Sequence, residues 1–99
     1  MKNVELIQCA NAAALALKAA QRWLDLVEAR TRLQTKFNVA LSGGRIAGNF
    51  FSAVVEQARR GSSALAQVHF FWSDERCVAP TDAASNFLLA SQNLLQPLV

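Results

Sequence analysis

The chain has one histidine and two cysteines, and none of the three stands at metal-ligand spacing. Cys9 and Cys77 lie far apart, so a zinc module is excluded and both are expected to be reduced, buried thiols of a cytosolic protein. His69 sits between Val68 and Phe70 in an apolar run, where a satisfied or edge-facing sheet position is expected rather than a catalytic one. Ser42 lacks the Gly-x-Ser-x-Gly frame, and no Ser-His-Asp order can be built around a single strand-bound histidine, which excludes serine-hydrolase chemistry. Long apolar runs are missing too. The terminus Met1-Lys2-Asn3-Val4-Glu5 has no apolar core, and the alanine-rich stretch 10–20 is interrupted by Asn11 and Lys18, so neither a secretory signal nor a membrane span is expected. Although the net charge is +3 and the pI about 9.4, the basic residues are scattered along the chain with no Lys/Arg run interleaved with aromatics. Nucleic acid is therefore not an expected partner.

Apolar residues are abundant, at 53% of the 99 positions. A chain this short makes one small domain and buries only about 60–70% of the surface its unfolded form exposes. So much apolar surface is more than a free-standing α/β unit of this size hides, which predicts a portion of a larger fold. Exposed apolar surface would also favour self-association.

Residues 4–8 are expected to form a short first strand, and Asn11 to cap the helix that follows. From Ala12 to about Leu33, Ala14, Leu17, Ala20, Leu24 and Val27 recur at spacings of three and four, predicting one buried stripe. Arg22, Asp25, Glu28, Arg30 and Arg32 fall on the wetter side, where carboxylates can pair with arginines. The run 37–42 is apolar enough for a strand buried on both faces. Gly43 and Gly44 permit a tight turn into a helix carrying Ile46, Ala47, Phe50, Phe51, Val54, Val55 and Ala58, which Gly61 closes as a C′ glycine. Residues 62–67 read as a loop and 68–73 as a second strand. Ser85 is placed to cap a helix from Asn86 to about Leu95, which Gln96-Pro97 stops. Phe70, Phe71 and Trp72 read as core, and Trp23 as cover for the first long helix. Strand–loop–helix repeated in this way predicts a parallel α/β sheet, whose ligands bind beyond the carboxyl ends of the strands.

Two blocks fall at such ends. In Leu41-Ser42-Gly43-Gly44-Arg45, backbone N–H groups left uncovered at a helix start attract an anion, and Arg45 adds a charged donor; a plain tight turn explains the glycines equally well. In Phe71-Trp72-Ser73-Asp74-Glu75-Arg76-Cys77-Val78, Arg76 offers a planar fork suited to phosphate, while an Asp/Glu–Arg ion pair pinning the loop is the plainer alternative. Asp74 or Glu75 at a desolvated strand end could also carry a raised pKa and serve as a general base, although neither is assigned that role. Ser85-Asn86 can cap a helix, bridge the second loop to a ligand, or do both.

Ser-Gly-Gly-Arg after a strand, then Asp-Glu-Arg-Cys-Val, then Ser-Asn nine residues beyond Arg76, resembles the amino-terminal half of the 6-phosphogluconolactonases, in the family that includes glucosamine-6-phosphate deaminases. The likeness spans roughly residues 35–95. Arg76 stands where the deaminase branch typically has tyrosine, and Ile46-Ala47 stand where the family loop usually has Thr-Pro. The resemblance implies a Rossmann-like parallel sheet flanked by helices, with this chain as the amino-terminal part of a single phosphosugar-binding domain. It implies hydrolysis of 6-phosphogluconolactone in the oxidative pentose phosphate route, without metal or organic cofactor. The substrate-binding residues would then be Ser42, Gly43, Gly44, Arg45, Asp74, Glu75, Arg76, Ser85 and Asn86, with the Gly43-Gly44-Arg45 loop and Arg76 on the phosphate. No catalytic residue is assigned within the chain, because the family's proton-transfer histidine belongs to a Gly-x-Gly-x-Asp-Gly-His segment expected beyond Val99. An isomerase or deaminase of the same family, or a binding fragment without turnover, are the other readings compatible with these blocks.

Overall fold

A computed structural model of the chain describes residues 3–61 and 65–98. Helix α1 spans Ala12–Arg32, strand β1 Phe37–Leu41, helix α2 Arg45–Gly61, strand β2 Val68–Trp72 and helix α3 Asn86–Ala90; a π turn, Ser91–Leu95, and a 3₁₀ turn, Gln96–Leu98, prolong α3. The strands pair in parallel, Phe37 opposite Val68 through Leu41 opposite Trp72. This is the expected α/β class, with α2 as the crossover that parallel pairing requires.

Helix α1 starts as expected: Asn11 is extended, and its Oδ1 accepts from Ala14 N at 2.8 Å. Its end carries no glycine. Gln34 takes the left-handed conformation, φ 56°. Thr35 N then reaches Arg30 O at 3.1 Å and Gln34 N reaches Thr31 O at 3.0 Å, the paired bonds of a Schellman close. Arg32 pairs with Glu28 at 3.1 Å, whereas Arg22 pairs with Glu5 at 2.8 Å.

The buried stripe of α1 is Ala16, Ala20, Leu24 and Val27, which corrects the expected one at its amino-terminal half: Leu17 is 47% exposed and Ala16 takes its place. Spacings of three and four allow either residue before Ala20. The choice falls to the alanine because α2 approaches closely there, close enough for Gln57 Nε2 to donate to Leu17 O at 3.0 Å.

Helix α2 is the hinge of the packing. Phe51, Ala53, Val54, Val55 and Ala58 are buried against α1 on one side and against Ala90 and Leu94 on the other. Phe37, Val39, Leu41, Val68, Phe70 and Trp72 turn toward the helices, with Trp23 of α1 meeting the rings of Phe37, Phe50 and Phe70 at 6.1–6.4 Å between centroids. Asn38, Ala40, His69 and Phe71 are exposed on the opposite face. The expectation that β1 is buried on both faces, and that Phe71 is core, is corrected on that account: the described helices cover one face only.

Three more expectations change. Residues 4–8 join no strand, and Leu6 is 80% exposed, because the segment lies away from both open edges of the two-stranded sheet and pairs with neither. The thiols are unpaired, but Cys9 is only half-buried and Cys77 is exposed on its loop. Pro97 does not halt the last helix but lies within its 3₁₀ turn, with its carbonyl accepting from Arg59 Nη2 at 3.1 Å. Gly61 is the last residue of α2; its expected cap, and the start of the 62–67 loop, lie outside the described residues.

Phe51 is 1% exposed and joins α1, α2 and the carboxy-terminal turns into one core. Phe51→Ala is expected to lower unfolding free energy by about 3–5 kcal/mol, read from the denaturant midpoint.

Candidate functional site

Both strands of the sheet end at the same edge, so the loops after β1 and β2 are neighbours. The register that pairs Leu41 with Trp72 sets Ser42 beside Ser73, and their Oγ atoms lie 3.0 Å apart. Ser73 also donates from N and Oγ to Leu41 O, at 2.9 and 3.1 Å. Ser73 received no role from the sequence; the signal was that both strands run into a serine.

After Ser42 the two glycines are needed for different reasons. Gly44 has φ 99°, a conformation that penalises a side chain. At Gly43 a methyl group would overlap the carboxamide of Asn86. The chain then enters α2 at Arg45, whose first turn contains no acidic residue, and among the described residues no side chain accepts from its first N–H groups. Those donors and the positive end of a 17-residue helix make this an anion-attracting point.

Beyond β2, Glu75 gathers four donors. Its Oε1 accepts from Arg76 N and Asn86 N, both at 2.7 Å, and its Oε2 from Phe87 N and Ser85 Oγ, both at 2.9 Å. The N–H groups of Phe87 and Asn86, with those of Arg76 and the Ser85 hydroxyl, outweigh desolvation and lower its pKa to about 2. The raised carboxylate pKa that a general base would use is therefore corrected for Glu75. The loop is pinned, but by Glu75 holding backbone N–H groups, and no Asp/Glu–Arg ion pair forms in it among the described residues.

Ser85 and Asn86 lie beneath this loop, 2% and 5% exposed. Ser85 caps α3 by accepting from Leu88 N at 3.1 Å. Asn86 Nδ2 donates to Asp74 O at 3.2 Å and approaches Asp74 Oδ1 at 3.5 Å. Ser42, Gly43, Ser73, Asp74, Glu75, Ser85 and Asn86 thus form one connected structure across both loops. Gly44, Arg45 and Arg76 stay exposed at its rim, and neither arginine makes an ion pair among the described residues. An apolar cleft of about 490 Å³, lined by Leu15, Trp23, Val39, Ile46 and Phe50, reaches Ser42 and Gly43 from the other side. Among the described residues no three His, Cys, Asp or Glu side chains converge as a metal site would need, and His69 is the second residue of β2, exposed and paired with Asn38 toward the start of the strands rather than at the ends that lead into the loops.

Two outcomes follow from this geometry. Gly43→Ala is expected to cost about 1–3 kcal/mol of stability. That cost shrinks in an Asn86→Ala background, whereas Gly44→Ala costs about 1 kcal/mol in either, as denaturant titrations would read. Because the folded pKa of Glu75 is depressed, its stabilisation is fully present above about 4.5 and fades as pH falls toward about 2. Glu75→Gln should flatten that acid limb of the stability–pH curve.

Residues 10–99 match the family described as glucosamine-6-phosphate isomerases/6-phosphogluconolactonase. The 6-phosphogluconolactonase of Treponema pallidum is 39% identical over 75 residues, which are 76% of this chain and 31% of that protein. That of Chlamydia muridarum is 34% identical over 68 residues, 69% of this chain and 26% of the relative. The solved 6-phosphogluconolactonase of Trypanosoma cruzi superposes with a TM-score of 0.80 at 29% identity, over 94% of this chain and 35% of that one. The chain therefore spans about a third of the length of these relatives. With a match that runs over nine-tenths of its residues and through both loops, the chain belongs to the glucosamine-6-phosphate isomerase/6-phosphogluconolactonase family.

Proposed function

We propose that the protein hydrolyses 6-phosphogluconolactone to 6-phosphogluconate in the cytoplasmic oxidative pentose phosphate pathway, and that this chain supplies the substrate-phosphate site as the amino-terminal part of a single phosphosugar domain. The observation that carries the reading is an α2 amino terminus that starts at Arg45 with no side-chain cap among the described residues, beside a second loop on which Arg76 is exposed, neither arginine forming an ion pair among those residues. A phosphate dianion takes the first-turn N–H groups of α2, and the guanidinium forks add charge-assisted bonds from the rim. Ser42, Gly43 and Gly44 shape the approach to the helix start. Unpaired cysteines suit a reducing compartment.

A lactone carbonyl is already electrophilic, so the chemistry needs a held phosphate, a base-activated water and donors toward the developing oxyanion. Glu75 is unsuited to be that base, since each of its carboxylate oxygens already accepts two hydrogen bonds and its basicity is reduced. The resemblance assigns proton transfer to a histidine in a Gly-x-Gly-x-Asp-Gly-His segment, and His69 stands in no such segment. Arg76, in the place of the tyrosine typical of the deaminase branch, favours the lactonase over the amino-sugar reaction.

In the intact protein, Arg76→Ala is expected to weaken 6-phosphogluconate binding by about 1.5–3 kcal/mol, measured by titration calorimetry. Unchanged affinity would remove Arg76 from the site. Turnover of glucosamine 6-phosphate, with none of the lactone, would move the assignment to the other branch.

A further inference from the structure

We infer that Glu75 and Asn86 are positioning residues, which hold the Arg76 loop against the Gly43-Gly44 loop and do not themselves touch the ligand. The inference rests on the phosphate reading of Arg76 and deepens it. An ionised carboxylate next to an arginine that grips a phosphate dianion would repel the ligand if it faced it. Glu75 is exposed, but its carboxylate is instead engaged by the protein's own donors, two on each oxygen. One of those donors is the backbone N–H of Arg76 itself, at 2.7 Å, so the carboxylate fixes where the arginine leaves the chain.

The other donors carry the constraint onward. Asn86 N and Phe87 N are the first two of α3, so Glu75 ties the Arg76 loop to the start of that helix. The Asn86 side chain then turns back from the helix: it donates to Asp74 O at 3.2 Å and packs so tightly on Gly43 that a methyl group there would overlap it. At 5% exposure it has no face to offer a ligand. The connection therefore runs from Arg76 through Glu75 and Asn86 to Gly43, the residue after Ser42 at the approach to α2. A shift of any link moves the rim arginine relative to the helix N–H groups.

The test is a double-mutant cycle in the intact protein with 6-phosphogluconate as the probe. Glu75→Gln keeps the shape but replaces one accepting oxygen with an NH₂ group facing donors. It is expected to raise Kd about tenfold when Arg76 is present, and less than about twofold in an Arg76→Ala background. With the lactone as substrate, the loss should fall on KM more than on kcat, which a general loss of folded protein would not produce. Equal increases in Kd in both backgrounds would mean that Glu75 acts on the ligand independently of Arg76, and would overturn the inference. So would an unchanged Kd for Glu75→Gln alone. If Arg76→Ala by itself has no effect, the phosphate reading of Arg76 fails and this inference fails with it, an outcome read from the single variant and so distinct from the others. Should Glu75→Gln not fold, Ser85→Ala removes only the hydroxyl donor to Oε2 and the α3 cap. The same Arg76-dependent increase, about threefold, is then expected, and its absence counts against the inference.

Discussion

Parallel pairing of two short strands is the constraint from which the rest follows. Parallel strands cannot be joined by a tight turn, so the chain must cross over, and α2 is that crossover. A crossover helix has to bury an apolar face on the sheet, which places Phe51, Val54 and Val55 in the centre of the molecule. The same pairing brings the carboxyl ends of β1 and β2 to one edge, where Ser42 and Ser73 meet. The two loops of the candidate site are neighbours because of strand direction, not because of anything in the loops themselves.

Charge at that edge is divided by partnering. Glu75, an acid in a region expected to bind an anion, is held ionised by N–H and O–H donors of its own chain, so its oxygens are already engaged. Arg45 and Arg76 remain exposed with their forks free of ion pairs among the described residues. The apolar surface is divided less completely. Helices cover one face of the sheet, while Ala40 and Phe71 on the other face are exposed. The chain is also about a third the length of its relatives.

Much of the fold was legible in local pattern. The caps Asn11 and Ser85 act through short-range hydrogen bonds that residue type announces, and both do what was expected of them. Gly44 was readable because a left-handed residue in a βα turn is nearly always glycine. The errors arose where a decision lies between elements. Whether Ala16 or Leu17 is buried depends on how near α2 comes, and whether residues 4–8 become a strand depends on whether the fold carries them alongside a sheet edge. A proline read as a stop can lie inside a tighter 3₁₀ turn when another helix, here through Arg59, holds its carbonyl.

For the site, the residue types and their order already determined that a Gly-Gly turn into a helix follows β1 and that an acid–arginine block follows β2, because glycines before a helix and a guanidinium have chemistry that needs no partner to state. The family likeness rested on those same residues. What only the tertiary structure decided is the division of labour among them. The sequence places Glu75 one residue from Arg76 and eleven from Asn86, and by itself treats all three as equals. Folding turns Glu75 toward the start of α3, buries Asn86 against Gly43 and leaves Arg76 in water. Donors and acceptors distant in sequence satisfy one another only once the backbone brings them within 3 Å, and no local rule specifies which will do so.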